Sequence, residues 1–79
     1  MGTLFLPSVT QFSILERLNE GSSNREIANE LCMTVANVEY HLGRLFRQTG
    51  AENRLQLALW WRGYSARNPF EMMRHAMAG

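Results

Sequence analysis

From Thr34 to Thr49 the chain reads TVANVEYHLGRLFRQT, and Val38, Leu42, Leu45 and Thr49 recur at steps of four, three and four. That spacing puts them on one face of a 3.6-residue helix, with His41 and Phe46 at its margins. Such a face has to be buried, so the rest of the chain must supply elements to cover it. The opposite face carries Ala36, Tyr40, Gly43, Arg44 and Arg47, which are two small residues, one aromatic and two guanidinium groups. Thr34 caps the start, and Gly50 supplies the left-handed residue that ends a helix.

The covering elements are legible on either side. Ser8-Val9-Thr10-Gln11 has the form of a capping box and predicts a helix over 8–20, with Phe12, Ile14, Leu15 and Leu18 apolar and Gly21 behind it. Ser22 and Ser23 form a polar link. Ser23 then caps a short helix from Asn24, with Glu26 in its first turn and Ile27, Ala28 and Leu31 on its buried side. Cys32, read as a small buried hydrophobe, opens the link Cys32-Met33-Thr34, which has the length of the turn in a helix-turn-helix.

After Gly50, Ala51-Glu52-Asn53 leads into a helix over 54–62 that Gly63 is expected to stop. It has Leu55, Ala58 and Leu59 on one side and Leu57, Trp60, Trp61 and Tyr64 round the other. A helix apolar on more than one side needs more than one neighbour. The second neighbour is expected to be the same helix of another subunit, met through Leu57, Trp60, Trp61 and Tyr64. Beyond it, Asn68-Pro69-Phe70-Glu71 reads as cap, first-turn Pro and acid, and predicts a helix over 69–78. The fold class is therefore all-α: an arm at 1–7, a four-helix domain at 8–63, and a tail at 64–79 with a short helical extension.

Seventy-nine residues make one domain, whose small core leaves roughly 3–5 kcal/mol of net stability. All cations are Arg and all anions are Glu, so a phosphoacceptor Asp is missing and receiver-domain chemistry is excluded. Over 8–63, six arginines face six glutamates, so any nucleic-acid affinity depends on placement of charge rather than its amount. The single Cys32 excludes an internal disulfide and a Cys-based zinc site. A cytoplasmic location is expected, with no membrane partner, no small-molecule ligand, no metal and no cofactor. No triad, paired carboxylates or phosphate-cradling loop is present, and an enzyme is not expected.

The outer face of the 34–49 helix suits a DNA major groove, with Arg44 and Arg47 for phosphate or guanine and Tyr40 for stacking. His41 sits at the core margin with one ring nitrogen able to meet a phosphate. Glu39 can accept from a cytosine amine or repel phosphate. Gly43, costly within a helix by about 1 kcal/mol, points to close backbone approach.

From Ser22 to Trp60 the chain resembles the LuxR-type (GerE-type) DNA-binding domain. The pieces that carry the resemblance are Ser23-Asn24-Arg25-Glu26-Ile27-Ala28, Val38 with His41-Leu42, Gly50, and Asn53-Arg54. The resemblance implies a four-helix domain whose third helix lies in the major groove of double-stranded DNA and whose fourth forms a homodimer. It also implies a stand-alone transcription regulator. By position it implies DNA contacts from Asn24, Arg25, Thr34, Asn37, Arg44 and Arg47. Ala36, Glu39, Tyr40, His41, Gly43 and Gln48 complete the expected surface. Where members commonly carry a Lys, this chain has Glu39 and Gln48. The alternative is a protein-interaction module that binds a larger LuxR-type regulator or RNA polymerase instead of DNA.

Overall fold

The computed structural model describes residues 7–67. Within them the chain forms four helices, α1 (Val9–Asn19), α2 (Asn24–Glu30), α3 (Val35–Thr49) and α4 (Arg54–Arg67). The three connections between them are each four residues long and each ends on a cap.

Every helix starts on a side chain that accepts from its own first turn. Ser8 accepts from the Gln11 amide and Ser23 from the Glu26 amide, both at 3.1 Å, and in each case the third residue's side chain accepts from the cap's own N–H. Thr34 accepts from the Asn37 amide at 3.0 Å, and Asn53 from the Gln56 amide at 2.9 Å. These bonds satisfy donors that have no partner inside a helix.

The helix ends are equally local. Gly21, at φ +88°, closes α1 with the Ser22 amide donating to the Arg17 carbonyl and the Gly21 amide to Leu18. Helix α2 ends in the same hydrogen-bond pattern, with Met33 N–H to the Ala28 carbonyl at 2.8 Å and Cys32 N–H to Asn29 at 3.4 Å. Here, though, the left-handed position is held by Cys32, at φ +57°. Its side chain is exposed, which corrects the expectation of a buried thiol: the residue sits on the turn between the two helices and not on the buried face of either. Gly50, at φ +79°, ends α3 as expected.

The core joins Ile14, Leu15 and Leu18 of α1 to Ile27 and Ala28 of α2, Val38, Leu42 and Leu45 of α3, and Leu57, Trp61 and Tyr64 of α4. The last three correct the expected subunit interface, since they are buried inside the chain's own core. Trp61 fixes the choice of face: it meets Phe12 edge-on at 5.7 Å and donates from Nε1 to Glu16 Oε2 at 2.9 Å, so α4 is locked to α1. Trp60 is half-buried beside it, stacked on Tyr64 at 5.1 Å.

Helix α4 also runs through Gly63 to Arg67, past the expected stop and past the domain boundary expected at 63. A glycine inside a helix costs about 1 kcal/mol against alanine, and burying the Tyr64 ring one residue later outweighs that. The helix expected over 69–78 lies outside the described residues.

Arg17 Nε lies 2.9 Å from Glu30 Oε1, an ion pair between α1 and α2 that lacks the angle of a hydrogen bond. Among the described residues, no helix is long and apolar enough to cross a membrane.

Candidate nucleic-acid interface

Helices α2 and α3, with the turn at Leu31–Thr34 between them, form a helix-turn-helix. Val38, Leu42 and Leu45 pin α3 to the core, so its other side is turned outward as a fixed surface. Ala36, Asn37, Glu39, Tyr40, Arg44, Arg47 and Gln48 are all exposed there, and His41 and Gly43 are half-buried at its margins. Helical spacing sets the layout. Glu39 and Gly43 share one edge, His41 and Gln48 the other, with Ala36, Tyr40 and Arg47 between.

Two of these side chains organise each other. Arg44 Nη1 donates to the Tyr40 hydroxyl at 3.3 Å while its guanidinium carbon lies 5.9 Å from the Tyr40 ring centre. The Tyr40 ring in turn meets His41 edge-on at 5.5 Å. The arginine is thereby held over the outer face with most of its donors unspent.

Along the His41 edge, α1 approaches α3 and leaves an open cleft of about 310 Å³, lined by Ser8, Gln11, Tyr40, His41, Arg44 and Gln48. Gln11 is the buried member of that lining. That side chain is only 7% exposed and donates from Nε2 to Gln48 Oε1 at 3.1 Å. In the sequence Gln11 is legible only as the capping-box partner of Ser8. Its reach to a residue 37 positions away has no local signal.

The residues expected to touch DNA from α2 lie apart from the α3 surface in sequence. Arg25 is exposed. Asn24 is half-buried, because its Oδ1 accepts from Arg54 Nη1 at 2.7 Å while Arg54 Nη2 donates to the Ser22 carbonyl. Thr34 spends its hydroxyl as acceptor on the α3 cap.

On α4 the outward stripe runs through Leu55, Leu59, Arg62 and Ala66, at steps of four, three and four, opposite Leu57, Trp61 and Tyr64. Leu55 is 68% exposed and Leu59 54%. These two, and not the core residues Leu57, Trp61 and Tyr64, are the large apolar groups that α4 offers to solvent.

The sequence that builds this surface has known relatives. The family model described as GerE, bacterial regulatory proteins, luxR family, matches residues 8–61. The response regulator Rre1 of Synechocystis sp. is 42% identical over 45 residues, which is 57% of this chain and 20% of that protein. This chain thus corresponds to a minor part of the length of that relative. No solved structure matches the chain significantly. With its four capped helices, its α2–turn–α3 unit and more than half its length within the match, the chain belongs to the luxR family of bacterial regulatory proteins.

Proposed function

We propose that the chain binds double-stranded DNA as part of a transcription regulator, with the outer face of α3 in the major groove. The observation that carries this reading is the α3 surface itself: Tyr40, Arg44 and Arg47 are exposed opposite a face that is fully committed to the core. Arg44 and Arg47 supply charge and bidentate donors, Asn37 an amide suited to an adenine edge, and Ala36 and Gly43 room for close approach. Asn24 and Arg25 meet the flanking backbone.

The net charge over 8–63 is zero, so a single copy can neutralise few phosphates. Two copies joined through α4 would double the contacts and read two half-sites about one helical turn apart. Leu55 and Leu59 are the proposed centre of that symmetric contact, in place of the buried residues of the same helix.

Gel-shift or anisotropy measurements on promoter DNA test the reading. Replacing Arg44 and Arg47 together by Ala should lower affinity by about a hundredfold or more, as loss of two charged contacts implies. Full retention of binding in that double variant removes the proposal.

The second reading, a module that binds a larger regulator or RNA polymerase, is favoured by Glu39, which is exposed on the same helix where it opposes phosphate. No shift on DNA at low salt, together with a stable complex with such a protein, would establish it.

A further inference from the structure

The cleft between α1 and α3 contains a chain of hydrogen bonds whose direction is forced. The Ser8 backbone N–H can only donate, so the Gln11 atom that meets it at 3.1 Å must be the carbonyl oxygen Oε1. The other end of the Gln11 amide is therefore Nε2, which can only donate, and its partner at 3.1 Å must be the oxygen of Gln48. The amide NH2 of Gln48 is what remains, on a side chain that lines the cleft. A backbone donor at the cap of α1 has thus set the polarity of a side chain on α3. Arg44 and His41 line the same cleft, and none of the described residues that line it carries a carboxylate.

An open cleft whose described lining has an arginine, an imidazole and an oriented amide donor, and no acid, is built to receive an anion. We propose that it binds phosphate, and that in the DNA complex it holds one backbone phosphate of the duplex beside the groove that α3 enters. Gln48 is the oriented donor, and Gln11 is the positioning residue that keeps it so. The proposal rests on the DNA-binding reading for the source of the phosphate, but not for the chemistry of the cleft. A phosphate contact carries no sequence information, so this site contributes register and affinity, not base choice.

Gln48→Glu is the informative variant. A carboxylate oxygen still accepts from Gln11 Nε2, the residue is exposed, and the fold should be unchanged; only the donor facing the cleft becomes an anionic acceptor. Gln11→Glu acts from the other end, since it keeps the capping box with Ser8 but forces Gln48 to turn its NH2 inward and its oxygen outward.

The test has two arms on the full chain. In the first, inorganic phosphate is titrated while the NMR signals of the Gln48 side-chain NH2, His41 and Arg44 are followed. In the second, affinity for two duplexes of unrelated sequence is measured over a range of salt. Wild type should show phosphate-dependent shifts at those three residues; Gln11→Glu should lose all three, and Gln48→Glu, which has no such NH2, should lose those at His41 and Arg44. Both variants should also bind each duplex about tenfold or more weakly, by the same factor for the two sequences, and with a shallower salt dependence. Unchanged duplex affinity in Gln48→Glu overturns the proposal, as does a loss confined to one sequence, which would make Gln48 a base-reading residue. If wild type binds neither duplex at low salt, the DNA reading fails. Phosphate shifts that persist in that case and vanish in Gln48→Glu would support the cleft as a site for free phosphate.

Discussion

Arg54 at the start of α4 forks onto the start of α2, with Nη1 on Asn24 Oδ1 at 2.7 Å and Nη2 on the Ser22 carbonyl. The guanidinium has only donors, so it fixes the Asn24 amide with its oxygen inward and its NH2 left over. In Asn24→Asp an oxygen still faces Arg54, and for a pair at the surface stability should change by no more than about 0.5 kcal/mol. The remaining NH2, however, becomes a carboxylate oxygen, and duplex affinity should fall about tenfold. Thermal denaturation beside anisotropy separates the two effects; a variant that binds as well as wild type shows that Asn24 only holds Arg54.

Cys32 occupies a left-handed turn at φ +57° with an exposed side chain. A residue with a Cβ pays about 1–2 kcal/mol there that glycine does not, partly offset by the greater freedom of glycine when unfolded. Cys32→Gly should therefore raise unfolding stability by roughly 0.5–1 kcal/mol in urea or heat. A decrease would mean that the thiol makes a favourable contact outside the turn.

Gly43 sits inside α3, where a Cβ would meet only the tip of Arg47, at 3.9 Å. Nothing among the described residues requires a glycine, so Gly43→Ala should stabilise by about 1 kcal/mol. If the glycine serves close approach to a duplex, the same variant should bind DNA several-fold more weakly. Gain of stability without loss of affinity would detach Gly43 from the interface.

Trp61 is tied to Glu16 by a 2.9 Å hydrogen bond and to Phe12 by an edge-on ring contact. Trp61→Ala should cost about 3–5 kcal/mol, which is most of the stability of a domain this size, and the chain should be largely unfolded at room temperature. Glu16→Gln keeps an acceptor for the indole and should cost less than about 1 kcal/mol. Far-ultraviolet circular dichroism during denaturation distinguishes them.

Leu55→Glu combined with Leu59→Glu leaves the core of α4 untouched, because both side chains point outward. Light scattering should show wild type as a dimer and the variant as a monomer with native circular dichroism. A monomeric wild type would move the subunit contact away from α4.

The sequence announced the helices more clearly than their faces. Ser8, Ser23, Thr34, Gly21 and Gly50 act within a few residues of where they stand, and they mark the helix limits where the structure has them. The inward side of α3 was equally legible, since Val38, Leu42 and Leu45 form a single apolar stripe against polar neighbours. Helix α4 carries Leu or Trp on several sides, so periodicity offered two candidate faces. The choice of Leu57, Trp61 and Tyr64 was made by Phe12 and Glu16, more than 40 positions earlier. Gly63 looked like a stop because its cost is local while the burial that offsets it is not. Gln11 and Arg54 were missed as partners of the surface for the same reason: what they hold lies 37 and 30 positions away.

The four-residue connections have a kinetic consequence. Because each helix carries its own starting signal and meets the next after one tight reversal, little chain entropy is lost before packing begins. Search time should then be short, with refolding from denaturant in a single phase on the microsecond to millisecond scale, on the order seen for small helical bundles.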